Sequence, residues 1–121
     1  MPSPTNLSPG LSRGDVVLVQ FVFADEKGVK RRPGLILSAD AYHRGRREAV
    51  LAAITSNTGR MLYGDYRIAD ADLDACGLPL ASTVTAIVRT IKQEMVALRL
   101  GRLPEPALGE VAARLRASLA L

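Results

Sequence analysis

The sequence predicts a small, mainly β domain: five or six short strands curled into a barrel and followed by one C-terminal helix. Two observations carry this. Short β-branched, apolar runs recur at close spacing between clusters of turn formers, the pattern of a small barrel rather than of βαβ units. Only the last segment changes period, with Leu108, Val111, Ala112, Leu115 and Leu119 recurring at helical spacing while Glu110, Arg114 and Arg116 fall off that face.

Residues 1–12 hold three prolines among small polar residues and are expected to form a flexible arm, leaving 13–121 as a single domain. The run DVVLVQFVF from Asp15 is apolar with imperfect alternation and reads as a buried strand. ADEKGVKRR supplies charge and Gly28 for a connection, and GLILS after Pro33 reads as the second strand. Ser38 is placed to cap a short turn through Tyr42, ahead of a basic loop, HRGRRE. EAVLAAITS forms the third strand, and SNTGRMLYGD is rich in turn formers. A short strand is expected from Tyr63 to Ile68, then an acidic segment whose brief helical turn stops at Gly77. STVTAIVRTI and MVALRLGRL supply the last strands, and Pro104 and Pro106 mark the entry to a helix over Glu105–Leu119.

Hydrophobic residues make up 48% of the 121 residues but aromatics only 4%, so the core must be aliphatic and base-stacking platforms are few. The net charge of +4 is unevenly spread: seven Lys and Arg fall between positions 27 and 47 against the single acid Asp40, which favours a polyanionic partner. One cysteine, Cys76, and one histidine, His43, exclude an internal disulfide and a zinc-type ligand set. Asp70, Asp72 and Asp74 lack the glycine and terminal glutamate of a calcium loop and read as a solvated acidic turn, so no metal and no cofactor are expected. Neither a secretory apolar core nor a run of membrane-spanning length is present, and a reducing cytoplasm is the expected compartment, with no membrane partner.

Taken in order, RGDVVLVQFVF, KRRPGLILS, AVLAAITS, CGLPLASTV, LRLGRL and the terminal helix resemble the MazF/PemK-like toxins of type II toxin–antitoxin systems over residues 13–120. The landmarks are Gly14–Asp15, Arg32–Pro33 and Thr55–Ser56. The resemblance implies an SH3-like barrel, a homodimer, an inhibitory antitoxin and a metal-independent endoribonuclease acting on single-stranded RNA, messenger RNA in the first instance. It assigns catalytic positions to Arg32 and Thr55. Some members also use an Arg and an Asp in the segment matching Leu80–Ser82, where this chain has neither, so the general acid and base stay open.

The chemistry suits those residue types. Attack by a 2′-hydroxyl on phosphorus needs the phosphate held and its growing charge offset, tasks fitted to the planar, always-charged guanidinium of Arg32. Thr55 offers a hydroxyl donor at a strand end. Lys30, Arg31, Arg44, Arg46, Arg47 and Ser56 are read as RNA-binding, the cations contacting phosphates without reading sequence. His43, Asp25 and Glu26 are weaker candidates for a base, since lone surface histidines and turn acids are mostly solvated. An antitoxin segment is expected to cover one groove lined by Arg32 and the basic loop. A gyrase poison of the CcdB-like kind and a non-catalytic SH3-like binding module are the alternatives, and neither needs a cleavage site.

Overall fold

The computed structural model describes residues 10–22 and 28–121. Six strands, β1 Asp15–Val22, β2 Val29–Ile36, β3 Glu48–Thr55, β4 Tyr66–Arg67, β5 Thr83–Lys92 and β6 Val96–Arg102, form one antiparallel sheet in the order β4-β5-β3-β2-β1-β6. Helix α1 (Asp40–Gly45) links β2 to β3, and α2 (Leu73–Cys76) follows β4 through a 3₁₀ turn. The terminal helix α3 spans Glu105–Leu119, the bounds its apolar period predicts.

The imperfect alternation of β1 is explained by burial on both faces. Val16 and Leu35 join Ala52, Ile54, Leu108, Val111 and Leu115 in a cluster beneath α3, while Val17, Val19, Ile36, Leu51, Ile91 and Val96 form a second cluster with Leu11 on the other face. Leu11 is 3% exposed, so packing begins inside the segment read as an arm; residues 1–9 of that arm lie outside the described residues, as do Asp25 and Glu26.

The expected fold class, mainly β with a C-terminal helix, is what the chain adopts, and three finer expectations change. The barrel is not closed by hydrogen bonds: β4, only two residues long, and β6 end the sheet without a ladder between them among the described residues. Instead α2 packs on β6, and their contact is close enough that a Cβ at Gly101 would sit 2.3 Å from the Ala75 carbonyl oxygen. The Lys30–Arg32 stretch is strand, not connection, because β1 extends far enough to pair Gln20 with Arg31 and Val22 with Val29. Pro33 is tolerated there because the pairing of β2 with β3 starts only at Gly34. Finally, the basic segment after Tyr42 begins inside a helix capped by Ala39, and Ser38 makes no cap.

Gly77 ends α2 in the left-handed conformation, φ 71°, as its position in the sequence suggests. A side chain there would collide with the Leu100 carbonyl oxygen at 2.0 Å. The turn after α2 and strand β6 are therefore locked together, which fixes one wall of the cleft described next.

Candidate active site

The end of the sheet where β2 begins and β3 finishes opens into a cleft of about 430 Å³, within the range of small-ligand sites. Arg31, Arg32 and Pro33 of β2, Ile54, Thr55 and Ser56 at the end of β3, Leu18 of β1 and the segment Gly77–Ser82 line it. Arg32 and Thr55, singled out from sequence, thus meet in one cavity with Arg31 and Ser56.

Sheet register explains how. Leu18 pairs with Pro33 and Gln20 with Arg31, and side chains alternate along a strand, so Leu18, Gln20, Arg31 and Pro33 share the face that carries Val16 and Leu35 into the α3 core. That face passes from core to cleft along the strands. Arg32, opposite Val19, leaves from the other face at the sheet's rim, where its Nη1 donates to the Arg31 carbonyl oxygen at 3.2 Å. Among the described residues neither Arg31 nor Arg32 has a carboxylate ion-pair partner, which leaves most guanidinium donors available to an anion.

Thr55 Oγ1 accepts the Asn57 backbone N–H at 3.0 Å. That contact uses an acceptor position and leaves the hydroxyl proton free to donate. Across the cleft Ser82, buried, donates to the Leu80 carbonyl oxygen at 2.7 Å and stiffens the Gly77–Ser82 wall, while Leu80 stands 61% exposed. The described lining has no carboxylate and no imidazole. What the cleft supplies is positive charge, a hydroxyl donor and aliphatic walls.

The remaining predicted contacts lie elsewhere. Lys30 is exposed on β2 but does not line the cleft. Arg44, Arg46 and Arg47 sit at the opposite end of β3, so an eight-residue strand at about 3.3 Å per residue puts them roughly 20 Å from Thr55. Arg46 is further engaged by Glu48 at 3.1 Å and stacks over the Tyr42 ring at 4.8 Å, and the hydrogen bond to Glu48 raises its pKa. One groove does not hold both Arg32 and these cations.

His43 is not a surface residue. It is 9% exposed, with Nδ1 2.9 Å from the Leu11 carbonyl oxygen and Nε2 2.6 Å from Ser38 Oγ. A carbonyl only accepts, so Nδ1 carries a proton, and in the neutral ring Nε2 accepts from the Ser38 hydroxyl. His43 ties α1 to the N-terminal segment and does not line the cleft. Among the described residues no three His, Cys, Asp or Glu side chains cluster as a metal site, and no helix is long and apolar enough to cross a membrane.

Sequence reasoning missed Leu18, Gln20, Leu78 and Leu100 as neighbours of the site. Gln20 carried one available signal, a lone polar residue inside the apolar run of β1. A small β domain with a rim of two arginines and a threonine is the class that these features define. The chain matches the model of the PemK-like, MazF-like toxins of type II toxin–antitoxin systems over residues 12–119, and it belongs to that family. No match is found among the curated proteins.

Among solved structures, it resembles an endoribonuclease in complex with its cognate antitoxin from a mycobacterial species, at 21% identity and TM-score 0.75, covering 93% of this chain and 97% of that one. The Mycobacterium tuberculosis toxin MazF-mt6 matches at 23% identity and TM-score 0.71, over 88% and 97% of the two chains. The MazE–MazF complex of Deinococcus radiodurans matches at 20% identity and TM-score 0.71, over 92% and 96%. At these identities the structural likeness speaks to the fold.

Proposed function

We propose that this chain is the toxin of a toxin–antitoxin pair and an endoribonuclease that cuts single-stranded RNA, messenger RNA among it, at the cleft between β2 and β3. The observation that carries the reading is the meeting of Arg32 and Thr55, far apart in sequence, in one cavity of a chain of this family.

The 2′-hydroxyl attacks phosphorus, the bond to the 5′-oxygen breaks, and the products are a 2′,3′-cyclic phosphate and a 5′-hydroxyl. Arg32 offsets charge that builds on the non-bridging oxygens, Thr55 donates to one of them, and Arg31 and Ser56 hold the chain on either side. The positive charge a bound metal would bring to this step is supplied by guanidinium. No carboxylate or imidazole lines the described cleft, and water held there carries the two protons in this reading. Arg44, Arg46 and Arg47, at the far end of β3, act on phosphates well beyond the scissile one.

The working form is a homodimer in the cytoplasm. Supporting this, Val88, Leu119 and Leu121 are exposed along one apolar groove between β5 and the end of α3 that a second copy would cover. The antitoxin inhibits by laying a segment over the Arg31–Arg32 cleft itself, since the basic residues of α1 are too distant to share its groove. Arg32→Ala and Thr55→Val test the assignment: removing one well-placed electrostatic donor should lower turnover by on the order of 10² to 10³. Parental cleavage by Arg32→Ala would end it.

A further inference from the structure

We infer that Gln20 is a positioning residue for RNA binding, holding Arg31 so that its guanidinium faces into the cleft and takes a phosphate next to the one that is cut. The inference rests on the ribonuclease reading above. Gln20 and Arg31 are direct partners in the β1–β2 ladder, so their side chains rise from the same face, the one that lines the cleft with Leu18 and Pro33. Gln20 Oε1 accepts Arg31 Nε–H at 3.2 Å.

Binding through Nε orients the guanidinium and leaves its far end, where the two terminal nitrogens offer paired donors that fit a phosphate, unengaged by Gln20. Among the described residues Arg31 has no carboxylate that would compete for them. A neutral acceptor achieves this without cancelling the charge, which a glutamate at the same place would do. Arg31 and Arg32 are consecutive but leave from opposite faces of β2, so the two guanidiniums reach the cleft from different sides and suit two successive phosphates rather than one.

The test combines Gln20→Leu, which keeps bulk and removes the acceptor, with Arg31→Ala and the double variant. Cleavage is measured on an RNA oligonucleotide cut by the parent, and binding on a fluorescent, sequence-randomised 2′-O-methyl RNA pool that cannot be cut. Gln20→Leu should raise KM and Kd about three- to tenfold, the net worth of one solvent-exposed hydrogen bond, with the change in KM and not in kcat. Arg31→Ala should weaken binding at least as much and flatten the slope of log K against log salt by about 0.7, one phosphate contact on a single strand. The double variant should be no worse than Arg31→Ala alone. Parental KM in Gln20→Leu, or losses that add in the double variant, would overturn the positioning role while RNA cleavage by the parent stood. A parent that cuts no RNA would overturn the ribonuclease reading and this inference with it.

Discussion

Asp15 shows how much a single side chain organises around the chain's start. It is 4% exposed, pairs with Arg99 and Arg102 at 3.1 Å each, and accepts the Ser12 N–H at 2.8 Å. Gly14 beside it, at φ 99°, leaves no room for a Cβ, which would lie 2.9 Å from Leu108. The Gly–Asp pair that served as a landmark in the sequence is therefore the joint between β1, β6 and α3. Removing a buried partner of an ion pair typically costs about 3–5 kcal/mol, but the arginines here are half exposed and can rehydrate, so Asp15→Ala should cost about 2–3 kcal/mol in urea unfolding with little change in kcat. Cys76 gives a pH signature. Burial, helped by Asp72, pushes its thiol from about 9 up to about 11, so the folded state keeps the proton longer than the unfolded chain. Stability from this group is whole below pH 9 and falls as pH rises toward 11. Cys76→Ala should flatten the start of that decline; the part due to Tyr66, whose pKa burial also raises, should persist.

At the level of elements, the sequence was most legible where one period dominated. The α3 bounds followed from Leu108, Val111 and Leu115 and from the prolines at its entry, because a helix with one buried face leaves a 3.6-residue period that no strand leaves. The first half of β2 was illegible for the opposite reason: Lys30, Arg31 and Arg32 are exposed strand residues, and exposed charge looks like a loop until the partner strand is known. The burial of His43 was hidden too, since it depends on Leu11, 32 residues earlier. Gly101 could not be understood without α2 in place. Gly101→Ala would force its Cβ against the backbone of Ala75 and Cys76, and α2 must then move away from β6, carrying the cleft wall at Gly77–Leu80 with it. The expected result is about 1–3 kcal/mol of lost stability together with slower RNA cutting, whereas Gly45→Ala, in open space, should change neither appreciably.

For the whole molecule, the sheet matters less as a barrel than as a device with two kinds of end. One end gathers Arg31, Arg32, Thr55 and Ser56 into a cleft, and the other carries Arg44, Arg46 and Arg47 beyond its reach. These two basic groups could not be separated from sequence, because both fall in one charged half of the chain and only the antiparallel course of β2 and β3 sends them apart. The exposed apolar groove at Val88, Leu119 and Leu121 belongs to this scale as well. Leu119→Glu should shift the solution mass from two chains toward one in sedimentation, and an unchanged dimer would move the interface elsewhere. Metal-free RNA cleavage is tested by incubating the purified parent protein with a mixed single-stranded RNA pool in EDTA and analysing the new ends. Discrete cuts leaving 2′,3′-cyclic phosphate and 5′-hydroxyl ends are expected, slowed by on the order of 10² to 10³ with Arg32→Ala. Intact RNA, cutting that needs magnesium, or 3′-hydroxyl products would contradict this mechanism.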